Sequence, residues 1–199
     1  MTPQINFLFP IPVVKFNYTK SFSDELSLVK SLIYSEASDR DNQISIEKYV
    51  LEYPELSEIK AFISGAIKEY AVNIYASLND LKITQSWTNK NVPGRGHHLH
   101  NHPNSILSGV FYFQSDNSSI KFHSSIQKTF QLKISALNDF NCGYSQLPVS
   151  SGELLIFPSD LLHSVPANES SSERISLAFN TFVDGNLGDS NLLNEVIIN

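Results

Sequence analysis

Between residues 82 and 182 the chain is built from short β-prone runs, at 83–87, 108–113, 119–123, 153–157 and 174–182, separated by Pro, Gly, Asn and Ser. Strands this short, closed by turn formers, can bury their apolar sides only against another sheet, which restricts this half of the chain to an all-β barrel or sandwich. The residues before it have a different period. Ser23-Asp24-Glu25-Leu26 puts a hydroxyl and two carboxylates at a helix start, and Leu26, Val29, Leu32 and Ile33 follow on one face. A second helix is expected over 55–78, with Ile59, Ile63, Ile67, Tyr70, Ala71 and Ile74 at helical spacing. Both helices are expected to pack one face on a sheet. Residues 6–16, apolar but broken by Pro10 and Pro12, read as an edge strand. Residues 124–150 have weak periodicity and carry Asn138, Asp139, Asn141 and Gly143, so they read as a long insertion or lid. Residues 184–199 read as a peripheral extension.

With 199 residues, 41% of them hydrophobic, the chain has the size and apolar content of one domain. The expected organisation is an N-terminal strand with supporting helices over 1–80, a β core over 81–183 and the extension over 184–199. Fourteen Lys and Arg against 20 Asp and Glu give a formal charge of −6, which supplies no general attraction to duplex nucleic acid or anionic membranes. Cys142 is the single cysteine, which rules out an intramolecular disulfide and a paired-cysteine zinc site. No apolar run approaches the roughly 20 residues of a membrane span and the N-terminus has no basic lead, so a cytoplasmic location is expected.

Four of the six histidines lie within Gly96-His97-His98-Leu99-His100-Asn101-His102-Pro103. In a regular extended strand, His98, His100 and His102 project to one side and His97 and Leu99 to the other. An H-x-H pair on one face can chelate an ion. Imidazole suits iron, zinc, copper or nickel, and a third ligand from a distant strand leaves coordination positions open for substrate and oxygen or water. The best third candidate is His163, which follows the apolar strand 154–157 and a Pro158-Ser159-Asp160 turn.

Eleven residues later, alternation along 174–180 sets Arg174, Ser176, Ala178 and Asn180 on one face and Ile175, Leu177 and Phe179 on the other. An inward arginine needs an anion, and its planar fork matches a carboxylate bidentately. The bland role for Arg174 is a structural salt bridge to Glu153 or Asp160. For Trp87, the only tryptophan, the choice lies between core packing and a cavity wall.

These motifs together resemble the iron(II)- and 2-oxoglutarate-dependent oxygenases, especially a branch common in marine bacteria and phages. The residues that carry the resemblance are His100-Asn101-His102-Pro103-Asn104-Ser105 with Ser108-Gly109-Val110-Phe111-Tyr112, then Gly152-Glu153-Leu154-Leu155-Ile156-Phe157-Pro158-Ser159 through His163, and Glu173-Arg174-Ile175-Ser176 to Asn180. They span residues 84–182. The resemblance implies a double-stranded β-helix, a cupin-like jelly roll, with Fe(II) on His100, His102 and His163. It implies that Arg174, aided by Ser176, binds the C5 carboxylate of 2-oxoglutarate, with Tyr112 and Ser108 lining that pocket. It further implies that oxygen and 2-oxoglutarate become succinate and carbon dioxide while a substrate is hydroxylated, in a host cytoplasm if the chain is phage-encoded. One position departs from the wider pattern: His102 stands where an aspartate or glutamate is usual. Three neutral ligands leave more positive charge on the metal than two histidines and a carboxylate. A cupin-like three-histidine dioxygenase that needs no 2-oxoglutarate is the enzymatic alternative, and a jelly-roll binding module with a structural metal is the non-enzymatic one. The spacing alone also allows His98 to replace His102.

Overall fold

In the computed structural model, which describes residues 2–35, 42–125 and 132–198, the alternating runs form two antiparallel sheets. The larger has six strands in the order β1 (Val14–Asn17), β8 (Glu153–Pro158), β5 (Leu107–Gln114), β10 (Arg174–Asp184), β3 (Asp80–Asn91), β2 (Gln43–Ile44). The smaller has four, in the order β4 (His97–His100), β9 (His163–Val165), β6 (Ser118–His123), β7 (Tyr144–Val149). The fold is the double-stranded β-helix that the motifs implied.

Period-2 alternation explains how the larger sheet is buried on both sides. Phe111 and Phe113 of β5, Leu154 and Ile156 of β8, and Ile175, Leu177 and Phe179 of β10 join α1 (Ser23–Ser31) and α2 (Ser57–Glu69) in one apolar cluster. The intervening Tyr112, Leu155 and Phe157 turn the other way and meet Ile120 and Phe122 of β6 and Val149 of β7 in a second cluster between the sheets. Close approach is needed where β5 crosses Phe179: a Cβ on Gly109 would lie inside contact distance of the Phe179 ring and 2.8 Å from the Leu155 carbonyl. Glycine is the residue that leaves room for that ring.

The helices are shorter than their periodicity suggested. The second continues from α2 into a π-helical turn, Tyr70–Ile74, and stops there. Ile59, Ile63, Ile67, Tyr70 and Ala71 are buried, but Ile74 and Leu78 are exposed because the segment leaves the sheet after Ala71. In α1, Val29 is buried and Ile33 lies exposed beyond the helix end; Phe22, not a hydroxyl residue, precedes its first turn, and Ser23 makes no capping bond. The N-terminal strand is confined to Val14–Asn17 on the edge beside β8; Phe7, Leu8 and Phe9 before it are exposed.

The proposed insertion at 124–150 is also corrected. Tyr144–Val149 is strand β7, paired with β6 from His123↔Tyr144 to Ser118↔Val149. As an edge strand with Ser145 and Gln146 exposed it has no apolar alternation to betray it. The part of that expectation falling on 126–131 lies outside the described residues. No helix among the described residues is long and apolar enough to cross a membrane.

Candidate metal and carboxylate site

The site lies between the sheets, where β4 and β9 of the smaller sheet face the inner side of β3, β10 and β5. On the larger sheet, register sets side chains in rows. Ser176 pairs with Asn89 on β3 and with Tyr112 on β5; Ala178 pairs with Trp87 and Val110. All six line one cleft together with Arg174, which pairs with Asn91 at the start of β10. The smaller sheet closes the cleft with His97, His100, His102, Ile120, His163 and Val165.

His100 and His163 are cross-strand partners, and their ring centroids are 4.3 Å apart. His102 follows β4 in the turn through Pro103 and Asn104, where Asn104 adopts a positive φ of 58°. Its backbone N–H donates to the Ser159 carbonyl at 2.9 Å, which ties the turn to the segment leading into His163. The His102 ring stacks 5.1 Å from that of His163. One nitrogen each from His100, His102 and His163 lie within 4.8 Å of one another, a spacing that could hold one metal ion.

The chemistry of these donors is set locally. His163 Nδ1 lies 2.9 Å from the Leu161 carbonyl, and His100 Nδ1 lies 2.8 Å from the His98 carbonyl. A carbonyl can only accept, so each Nδ1 carries the proton and each Nε2 carries the lone pair that a metal uses. Burial, reinforced by neighbouring histidines, pushes the His163 pKa down to about 3 and that of His102 down to about 4. These two imidazoles are therefore neutral at pH 7, as ligands must be.

Arg174 is only 3% exposed, and its Nη2 has no hydrogen-bond partner. It takes part in none of the ion pairs among the described residues; Glu153 is engaged by Lys15 at 2.9 Å, which removes one partner of the bland reading. Burial lowers its pKa, with Tyr112 opposing, while burial raises that of the Tyr112 phenol, which remains a hydroxyl. A guanidinium taken out of water without an anion is costly, so the cleft is chemically incomplete without one. The residues present thus fit both a divalent ion and a carboxylate.

Two expectations change. Ser108 does not line the cleft: its hydroxyl is committed to Ser159 and Asn180, both at 2.8 Å, in a buried polar group behind the His102 turn. His97 does line it, against the simple alternation rule. Three residue steps from His97 to His100 oppose two from Val165 to His163, and this bulge brings the His97 ring to 4.3 Å from that of His100. His98 is exposed and absent from the cleft. Trp87 is a cavity wall, its ring 5.8 Å from His102. Asn89 was missed because β3 extends past the apolar run that announced it.

Residues 85–180 match the family described as "Putative 2OG-Fe(II) oxygenase". No curated protein matches in sequence. Among solved structures, a 2OG-Fe(II) oxygenase family oxidoreductase from Burkholderia pseudomallei superposes with a TM-score of 0.59 at 13% identity, covering 85% of this chain and 83% of that one. HygX from Streptomyces hygroscopicus, with nickel, 2-oxoglutarate and hygromycin B bound, gives 0.59 at 13% identity, over 86% and 82% of the two chains. A prolyl-4-hydroxylase from Pseudomonas putida gives 0.58 at 14%, over 85% and 92%. At such identities these neighbours speak for the fold, while the family match covers the segment that carries all three paired histidines and Arg174. Residues 85–180, about half of the chain, thus match a 2OG-Fe(II) oxygenase family, and the fold around them is the one those solved oxygenases share.

Proposed function

We propose that the chain hydroxylates a substrate at the expense of oxygen and 2-oxoglutarate, releasing succinate and carbon dioxide, with Fe(II) on His100, His102 and His163. The observation that carries this reading is the unpartnered, buried Nη2 of Arg174 in the same cleft as the histidines. A guanidinium there calls for a bound carboxylate, and 2-oxoglutarate has one at the end remote from its metal-chelating group.

Iron, when bound, supplies the redox chemistry that couples oxidative decarboxylation of 2-oxoglutarate to attack on a substrate C–H bond. The protein's own residues do the rest. The carbonyls of His98 and Leu161 fix the tautomers of His100 and His163. Arg174 grips the distal carboxylate, with the Ser176 and Tyr112 hydroxyls as further donors beside it. Val110, Ile120, Val165 and Ala178 keep the remaining walls apolar and limit water.

The all-histidine donor set is the one observation that favours a second reading, a three-histidine dioxygenase without 2-oxoglutarate: among the described residues no Asp or Glu lines the cleft. Oxygen uptake and succinate measured together separate the two. Iron-loaded protein that consumes oxygen only with 2-oxoglutarate, forming succinate in equal amount, supports the first. Oxygen uptake independent of 2-oxoglutarate, with no succinate, supports the second.

A further inference from the structure

Two of the five clustered histidines, His97 and His98, have no part in the metal set proposed above. They nevertheless form a second set with His100: one nitrogen each from His97, His98 and His100 lie within 4.8 Å of one another. Ring centroids are 4.8 Å apart for His97 and His98, 4.3 Å for His97 and His100, and 5.3 Å for His98 and His100. The bulge that disrupts β4 pairing makes this possible, since it turns His97 to the side of His100.

We infer that His97, His98 and His100 form an outer divalent-metal position that takes an ion from solvent and passes it inward through the shared His100. Burial is graded along the path: His98 is exposed, His97 and His100 are half-buried, and His163 is buried. Ring separations stay short at every step, with 4.3 Å from His100 to His163 and 5.1 Å from His102 to His163. Because the two sets share His100, they hold a single ion alternately. Imidazole donors select first-row transition ions over Mg²⁺ or Ca²⁺. An exposed set lets the ion shed water in stages before it enters the buried one. The transfer step rests on the inner set proposed above; the outer position does not.

Cobalt(II), whose visible absorption reports its ligands, tests the inference on tag-free protein under anaerobic conditions. Wild-type protein and the His98→Ala, His163→Ala and doubly substituted variants are titrated, and loading is followed by stopped flow. The inference predicts that H98A binds one cobalt with affinity close to wild type but loads about tenfold more slowly. It predicts that H163A keeps a weaker cobalt position, which the double variant loses. His98 is exposed, so its removal opens no cavity in the core. Wild-type loading rates in H98A overturn the transfer role, and identical cobalt binding by H163A and the double variant overturns the outer position. Wild-type protein without a tight cobalt site contradicts the inner set and the transfer, but leaves the outer comparison readable.

Discussion

His100 and His163 face each other across β4 and β9, ring centroids 4.3 Å apart, each with Nδ1 at a carbonyl two residues earlier in its own chain. Two strands far apart in sequence thus use one local device to leave Nε2 as the donor nitrogen, and a metal bound between them would hold the strands together. His163→Ala is expected to weaken tight Fe(II) or Co(II) binding at the inner set by at least about 100-fold. It should also greatly reduce the rise in thermal midpoint that the metal gives the wild type. Equilibrium dialysis with metal analysis measures the first effect and calorimetry the second.

Arg174→Leu separates a ligand-binding role from a structural one. If Arg174 pairs with a carboxylate, its loss costs about 2–5 kcal/mol of 2-oxoglutarate binding, an affinity drop of roughly 30-fold or more. The ligand-free protein should be as stable as wild type or more so, because an unpaired buried charge has been removed. Isothermal titration and chemical denaturation give both numbers. A large loss of ligand-free stability would mark Arg174 as a structural residue instead.

Proton uptake by the site histidines sets a pH dependence. His163 and His102 are held down to about 3 and about 4, against an unfolded value near 6.5. Between those limits the unfolded chain binds protons that the folded chain refuses, so metal-free stability is full above pH 6.5 and falls as pH drops towards 3. The loss is on the order of a few kcal/mol. Urea midpoints across pH 4–8 measure it, and His163→Ala should flatten the curve.

A ligand in the cleft would lie against its walls. Trp87, the only tryptophan, is one of those walls. Its fluorescence is expected to change on adding Co(II) and again on adding 2-oxoglutarate, with the second change absent in Arg174→Leu. A remote structural result is expected from Gly109→Ala, whose methyl meets the buried Phe179 ring; overpacking there costs about 1–3 kcal/mol, read as a lower urea midpoint.

Residue alternation made much of this legible. The inward and outward sets of β10, Arg174-Ser176-Ala178 against Ile175-Leu177-Phe179, follow from a period of two, as does the pairing of buried faces on β5 and β8. The structure brings His100, His102, His163, Arg174, Ser176 and Tyr112 into one cleft, as the motifs implied. What the sequence hid has definite causes. A bulge has no apolar signature, so His97 was set on the wrong face. Ser108 shares the face of Tyr112, but its hydroxyl is taken by Ser159 and Asn180, partners that only tertiary packing supplies. β7 is an edge strand with too few buried positions to alternate, and Ile33 and Ile74 lie just beyond the helical segments that touch the sheet.

The central claim is that one cleft holds Fe(II) on histidines and 2-oxoglutarate on Arg174. Anaerobic addition of both to the purified protein, followed by visible absorption, tests it most directly. The account predicts a metal-to-ligand charge-transfer band that requires both additions and weakens in Arg174→Leu. Iron binding confirmed by metal analysis, with no such band at saturating 2-oxoglutarate, would contradict it.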